Sequence, residues 1–236
     1  MKTARAEFHL QAIEIEHQRL IDEGMYNISK KDNPKKFRHI LRLDVKPMSP
    51  LIAMLAGEFA YCLRSGLDQL AWQLALLNVK RRPRSSTSFP IRGIKPPPPK
   101  GFGDAIKDIL PAAFQVIESF QPYHRGAAYR GHPLWILNEL CITDKHYMMP
   151  VNSTACRFTL DGASEFSERR FQHAVEIHVP LSDKFKVQLN AQQPEIILGE
   201  PSGDMSSGFE VRIAQLRPIH DFVRNDVTPA FAGFFK

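Results

Sequence analysis

The stretch from Ser49 to Val79 limits most what this chain can fold into. It reads SPLIAMLAGEFAYCLRSGLDQLAWQLALLNV, apolar almost all round, yet it carries Glu58, Arg64, Ser65, Asp68 and Gln69 in its middle. Ser49 predicts an N-cap, and Pro50 takes the first helical position, where its missing N–H costs nothing. Lys80-Arg81-Arg82-Pro83 predicts the stop, because cations suit the helix's negative end and proline cannot continue it. At 1.5 Å per residue the helix runs roughly 45 Å, enough to be the spine of a domain. Ions in its centre argue against a membrane span. The charged N-terminus, MKTARAEFHLQ, does not read as a secretory signal. Cys62, Cys141 and Cys156 are few and odd in number, as expected of reduced thiols in a cytoplasmic protein.

Around that spine the hydrophobic pattern predicts an α+β fold, a central bundle of long helices packed with an antiparallel β-sheet. Thr3 to Asp22 reads as an amphipathic helix with Phe8, Ala12, Ile15 and Leu20 inward. A β-hairpin with a basic edge follows, from Met25 to Val45. After the long helix, Arg81 to Lys100 reads as a linker containing Phe89-Pro90-Ile91 and four successive prolines, crossing a surface in extended form. Short helices are expected at Gly103 to Asp108 and from Pro111 to Phe120, with a basic loop over His124 to Gly131. A third strong helix opens at Pro133. Residues 151–216 carry short alternating runs separated by turn residues, expected as antiparallel strands that the early hairpin can join. Residues 217–236 read as a closing helix, and the 236 residues as one domain.

No phosphate-binding glycine loop, Cys-x-x-Cys pair, His-Glu-x-x-His or Gly-x-Ser-x-Gly occurs. The candidate chemistry is therefore the polar set on the apolar helices. Glu58, Ser65, Asp68, Gln69 and Trp72 fall within about 120° of one another at 100° per residue. Arg64 and Asp68 are spaced as an i,i+4 ion pair. Asp144, Lys145 and His146, at the end of the Pro133 helix, are the groups expected to face them. Arg64, Asp68 and His146 are the candidate catalytic residues, and Glu58, Ser65, Gln69, Asp144 and Lys145 the candidate binding residues. The same set reads also, and somewhat more readily, as a buried ionic network that only locks helix packing. Of the histidines, His124, His132 and His146 are the candidate metal ligands, but they lack a ligand-spaced carboxylate, so no metal or cofactor is assigned. His9, His17, His39, His173, His178 and His220 read as surface or sheet residues. The formal charge of +6 is compatible with RNA as partner.

Gly57-Glu58, Leu63-Arg64-Ser65-Gly66-Leu67-Asp68-Gln69-Leu70, Phe89-Pro90-Ile91, Gln121-Pro122-Tyr123 and Asp144-Lys145-His146 occur in this order. In that order they resemble a widespread family of uncharacterised bacterial proteins whose helix reads Leu-Arg-Ser-x-Leu-Asp-His-Leu. The resemblance covers about Phe37 to Pro150 and implies a shared fold without an assigned activity. The Arg-x4-His spacing of that helix is also similar to the HEPN superfamily, whose active members are metal-independent ribonucleases, often homodimeric. Here Gln69 stands in the histidine position, and Tyr147 replaces the arginine that follows Asp-Lys-His. The resemblance implies RNA binding with weak cleavage. The competing expectations are a non-catalytic binding or scaffold module and a small-molecule sensor.

Overall fold

The computed structural model describes residues 2–24, 26–36, 38–46, 49–97, 101–146, 149–154, 159–160, 170–171, 175–180, 187–188, 196–199 and 209–235. Among the expected features, Arg157-Phe158, Ala174, Phe185-Lys186, Leu189 and Glu195 of the strands lie outside them. So do Pro98-Pro99, Tyr147, Cys156, His173 and the turns at Asp161-Gly162, Ser182-Asp183 and Pro201 to Asp204. The fold is α+β, and the chain divides into two compact units. The first contains Met1–Ala12, Met54–Met149 and Ala214–Lys236, and the second Ile13–Ala53 and Pro150–Ile213. Among the described residues no helix is long and apolar enough to cross a membrane.

Helix α1 (Lys2–Asp22) and helix α2 (Pro50–Leu76) form as predicted. The buried stripe of α1 shares only Leu20 with the expected apolar set. Ala6, His9, Leu10, Ile13, Glu16 and Leu20 are buried, whereas Phe8 and Ile15 stand 67% and 71% exposed. The true stripe keeps helical spacing, but a histidine and a glutamate interrupt it, so hydrophobicity alone selects the wrong face.

In the first unit, α2 presents Phe59, Leu63, Leu67, Ala71 and Leu74 to the core. Helix α3 (Pro111–Ser119) buries Ala113 and Ile117, and α4 (Pro133–His146) buries Leu134, Ile136, Leu137, Leu140 and Cys141. The expected loop at His124 is instead a run of 3-10 turns over Pro122–Gly131, kinked at Gly126, whose φ of 55° favours glycine. His132 caps α4, its Nδ1 accepting the Leu134 N–H at 3.1 Å. Burial pushes that imidazole down to about 4, reinforced by the Arg125 charge, so the neutral, accepting form persists. The closing helix begins as α5 (Leu216–Asp221), widens into a π-turn over Phe222–Val227 and ends with α6 (Thr228–Ala230).

The segment after α2 is a strap and not a surface linker. Phe89 is fully buried and meets Phe231 edge-on, with ring centroids 6.3 Å apart. Such an extended segment has no ladder to satisfy its backbone, and side chains do it instead. Asp68 accepts the Phe89 N–H at 3.0 Å. Gln121 donates to the Pro90 carbonyl at 2.8 Å and accepts the Arg92 N–H at 3.0 Å. Asp108 accepts the Arg84 N–H at 2.7 Å and pairs with Arg81 at 2.6 Å.

In the second unit, strands β1 (Tyr26–Asn33) and β2 (Arg38–Val45) make the predicted hairpin. Strands β3 (Val151–Thr154), β4 (Thr159–Leu160), β5 (Arg170–Phe171), β6 (Val175–Pro180), β7 (Val187–Gln188), β8 (Ile196–Leu198) and β9 (Val211–Arg212) follow. β6 pairs antiparallel with β2, Arg38 opposite Pro180 and Leu43 opposite Val175, so the hairpin does join a later strand. A second sheet runs β5-β3-β8-β9, and β4 pairs with β7. Gly199 has φ of +114°, and a Cβ there would lie 2.0 Å from the Phe209 carbonyl oxygen.

Candidate functional site

Five of the eight candidate residues come together in the first unit. Arg64, Ser65, Asp68, Gln69 and Lys145 line a cleft of about 380 Å³ with Tyr61, Trp72, Ser85, Thr87 and Cys141. Positions 61, 64, 65, 68, 69 and 72 follow the 3.6-residue repeat and so form one face of α2. The strap supplies Ser85 and Thr87, and the last turns of α4 supply Cys141 and Lys145.

Arg64 Nη2 pairs with Asp68 Oδ1 at 3.2 Å, the predicted i,i+4 ion pair. The same oxygen accepts the Phe89 N–H, so Asp68 holds the strap as well as the arginine. Arg64 Nη1 is buried, and it has no hydrogen-bond partner among the described residues. Thr87 Oγ1, in the same cleft, is in the same state. A buried donor without an acceptor is costly, so these two atoms are where hydrogen bonding around the cleft is incomplete. Lys145 adds a second positive charge at the rim. Burial pushes the Cys141 thiol up to about 12, which leaves it protonated and unreactive at neutral pH.

The other three candidates lie elsewhere. The Asp144 carboxylate packs on Gly57, where an added Cβ would lie 2.2 Å from Oδ1. Gly57 is thus a close approach of α4 to α2, and Gly66 is the same for α1, with the Lys2 Cβ at 3.3 Å from such a Cβ. Partial desolvation, then the Glu58 charge, raises the Asp144 carboxyl above its ordinary value. His146 is exposed at the last position of α4 and is not among the cleft's lining residues. Glu58 is exposed one turn earlier on α2, grouped with His9 and Cys62.

Sequence reasoning missed Thr87, Asp108 and Gln121, and it placed His9 and His220 at the surface although both are buried. His220 Nε2 lies 3.2 Å from the Thr3 carbonyl, and Nδ1 lies 3.3 Å from Glu7. Single polar residues that satisfy backbone groups leave no periodic signal. For Gln121 the one available signal is its membership of the Gln121-Pro122-Tyr123 motif. The short motifs prove physically linked: Asp68 binds Phe89, Gln121 binds Pro90, and Asp144 fills the space at Gly57. Compared with family models, curated proteins and solved structures, the chain matches none of them.

Proposed function

We propose that this chain is an RNA-binding protein with an HEPN-like helical core, and that the Arg64–Lys145 cleft takes one nucleotide of a single strand. The observation that carries the reading is that Arg64 and Thr87, each with a buried polar atom unpartnered among the described residues, line one cleft with Lys145. A phosphate oxygen accepts charge-assisted hydrogen bonds from arginine N–H and threonine O–H groups, the two donor types these residues bring. Trp72 and Tyr61 border the same space; the Lys2 ammonium stands over the Tyr61 ring at 5.3 Å, and Trp72 is the ring on which a base stacks. The net charge of +6 favours the encounter.

Cleavage is the lesser part of the proposal. Gln69 cannot accept a proton as a histidine would, and Asp68 is engaged by Phe89 and Arg64. His146, whose unperturbed pKa of about 6.5 suits acid–base work, stands outside the lining set. The wild type is expected to cut RNA weakly or not at all in EDTA, with Gln69→His raising any activity and His146→Ala abolishing it. A scaffold role is the second reading, favoured by the Asp68–Phe89 hydrogen bond, which ties helix to strap without any ligand.

Fluorescence anisotropy with mixed-sequence single-stranded RNA at low salt tests binding. Arg64→Ala and Lys145→Ala should each weaken it by about tenfold and lower the salt slope by about 1. Absence of binding by the wild type, or variants that bind as it does, refutes the proposal in favour of the scaffold.

A further inference from the structure

His9 is only 9% exposed, and neither ring nitrogen has a hydrogen-bond partner among the described residues. A buried imidazole with both nitrogens unmet is unusual, since buried polar groups are almost always partnered. The Glu58 carboxylate and the Cys62 thiol are beside it. One ligand atom from each of the three residues lies within 4.8 Å of the others. Glu58 and Cys62 stand one turn apart on α2 and therefore project from the same face. His9 comes from α1, and all three belong to the first unit. Cys62 is 2% exposed whereas Glu58 is exposed, which gives an ion a path in from solvent.

We infer that His9, Glu58 and Cys62 form a binding site for one borderline-soft divalent cation of the zinc type, independent of the RNA cleft. Imidazole nitrogen, thiolate sulfur and carboxylate oxygen are the donor mixture such ions take, at about 2.0–2.3 Å. Bonds of that length around a tetrahedron place donor atoms about 3.3–3.8 Å apart. The three donor atoms already lie within 4.8 Å of one another, and Glu58 is the exposed member of the set. Magnesium and calcium prefer all-oxygen shells and do not suit a site with sulfur. Three protein ligands leave a fourth position for water. Burial raises the Cys62 thiol above its ordinary value, against the opposing charges of Lys2 and Arg5, so a bound ion has to displace the thiol proton. The ion would cross-link α1 to α2 and supply the partner that His9 lacks. Among the described residues this is the group with such spacing, whereas His124, His132 and His146 do not form one.

Titration of the full chain with Co²⁺ followed by Zn²⁺ tests the site. The wild type should bind one Co²⁺ with a thiolate-to-cobalt charge-transfer band that Zn²⁺ abolishes. Cys62→Ser should remove the band, and His9→Ala and Glu58→Gln should each weaken binding at least about tenfold. Cys141→Ser and Cys156→Ser should leave it intact. Because substitution at His9 can disturb the fold, a second readout uses the wild type alone: Zn²⁺ should protect Cys62 from alkylation in peptide mass maps. No band in the wild type, a band that survives Cys62→Ser, or alkylation of Cys62 unaffected by Zn²⁺ would overturn the site.

Discussion

Asp68 does two things with one oxygen, and its substitutions separate them. Asp68→Asn keeps an acceptor for the Phe89 N–H and loses only the ion pair with Arg64. Both partners retain some solvent access, at 18% and 38% exposure, so that loss should stay under about 1 kcal/mol. Asp68→Ala also strands the strap's N–H and should cost about 2 kcal/mol. Arg64→Ala should cost nearer 1 than 3–5 kcal/mol, because Asp68 keeps water and the Phe89 N–H. Urea melts of the three variants check this ordering, and a loss above about 3 kcal/mol for Arg64→Ala would mark a lock and not a binding cleft. Asp144 gives a prediction of opposite kind. Its folded carboxyl holds the proton more tightly than the unfolded one, so its ionisation at neutral pH works against folding. Asp144→Asn should therefore raise the melting temperature at pH 7, and the gain should vanish below the ordinary carboxyl value of 3.8. A gain that persists unchanged in acid would contradict this account.

Elements were legible in the sequence where periodicity and caps agree, as in α2 and α4, and less so where polar residues carry a structural duty. The inward face of α1 was misassigned because His9 and Glu16 belong to it. Glu16 accepts hydrogen bonds from Arg19 at 2.8 Å and is also bonded by the Ser49 side chain, which holds its carboxyl down to about 2. Its folded form releases the proton more readily than its unfolded form, so the stabilisation is complete above 4.5 and is lost as pH falls towards about 2. Glu16→Gln should flatten the pH dependence of unfolding across that window, and unchanged acid sensitivity would exclude this pair as its source. Two glycines whose added Cβ would clash should behave differently. At Gly57 the obstruction is the end of an exposed aspartate, which can swing away, so Gly57→Ala should change stability by no more than about 1 kcal/mol. At Gly199 it is backbone, and φ is positive, so Gly199→Ala should cost about 2–3 kcal/mol. Thermal melts that rank the two in reverse would refute this.

For the molecule as a whole, composition and pattern led correctly to an α+β chain whose early hairpin joins a later strand. They could not show that the proline-rich stretch carries a buried strap, because what buries it is Asp68, Asp108 and Gln121 arriving from distant positions. They also grouped Glu58 with Asp68 by helical angle, whereas α1 and α4 pack on α2 and divide its polar residues between a cleft and a separate His9–Cys62 cluster. RNA that enters the cleft in the proposed way meets Trp72. The chain has two tryptophans, Trp72 and Trp135, so a Trp135→Phe protein reports from the cleft alone. Titrated with single-stranded RNA at low salt, its fluorescence should fall saturably, recover as salt is raised, and fail to respond once Arg64→Ala or Lys145→Ala is added. Fluorescence that stays constant while the RNA demonstrably binds, or quenching that survives both substitutions, would contradict that mode of binding.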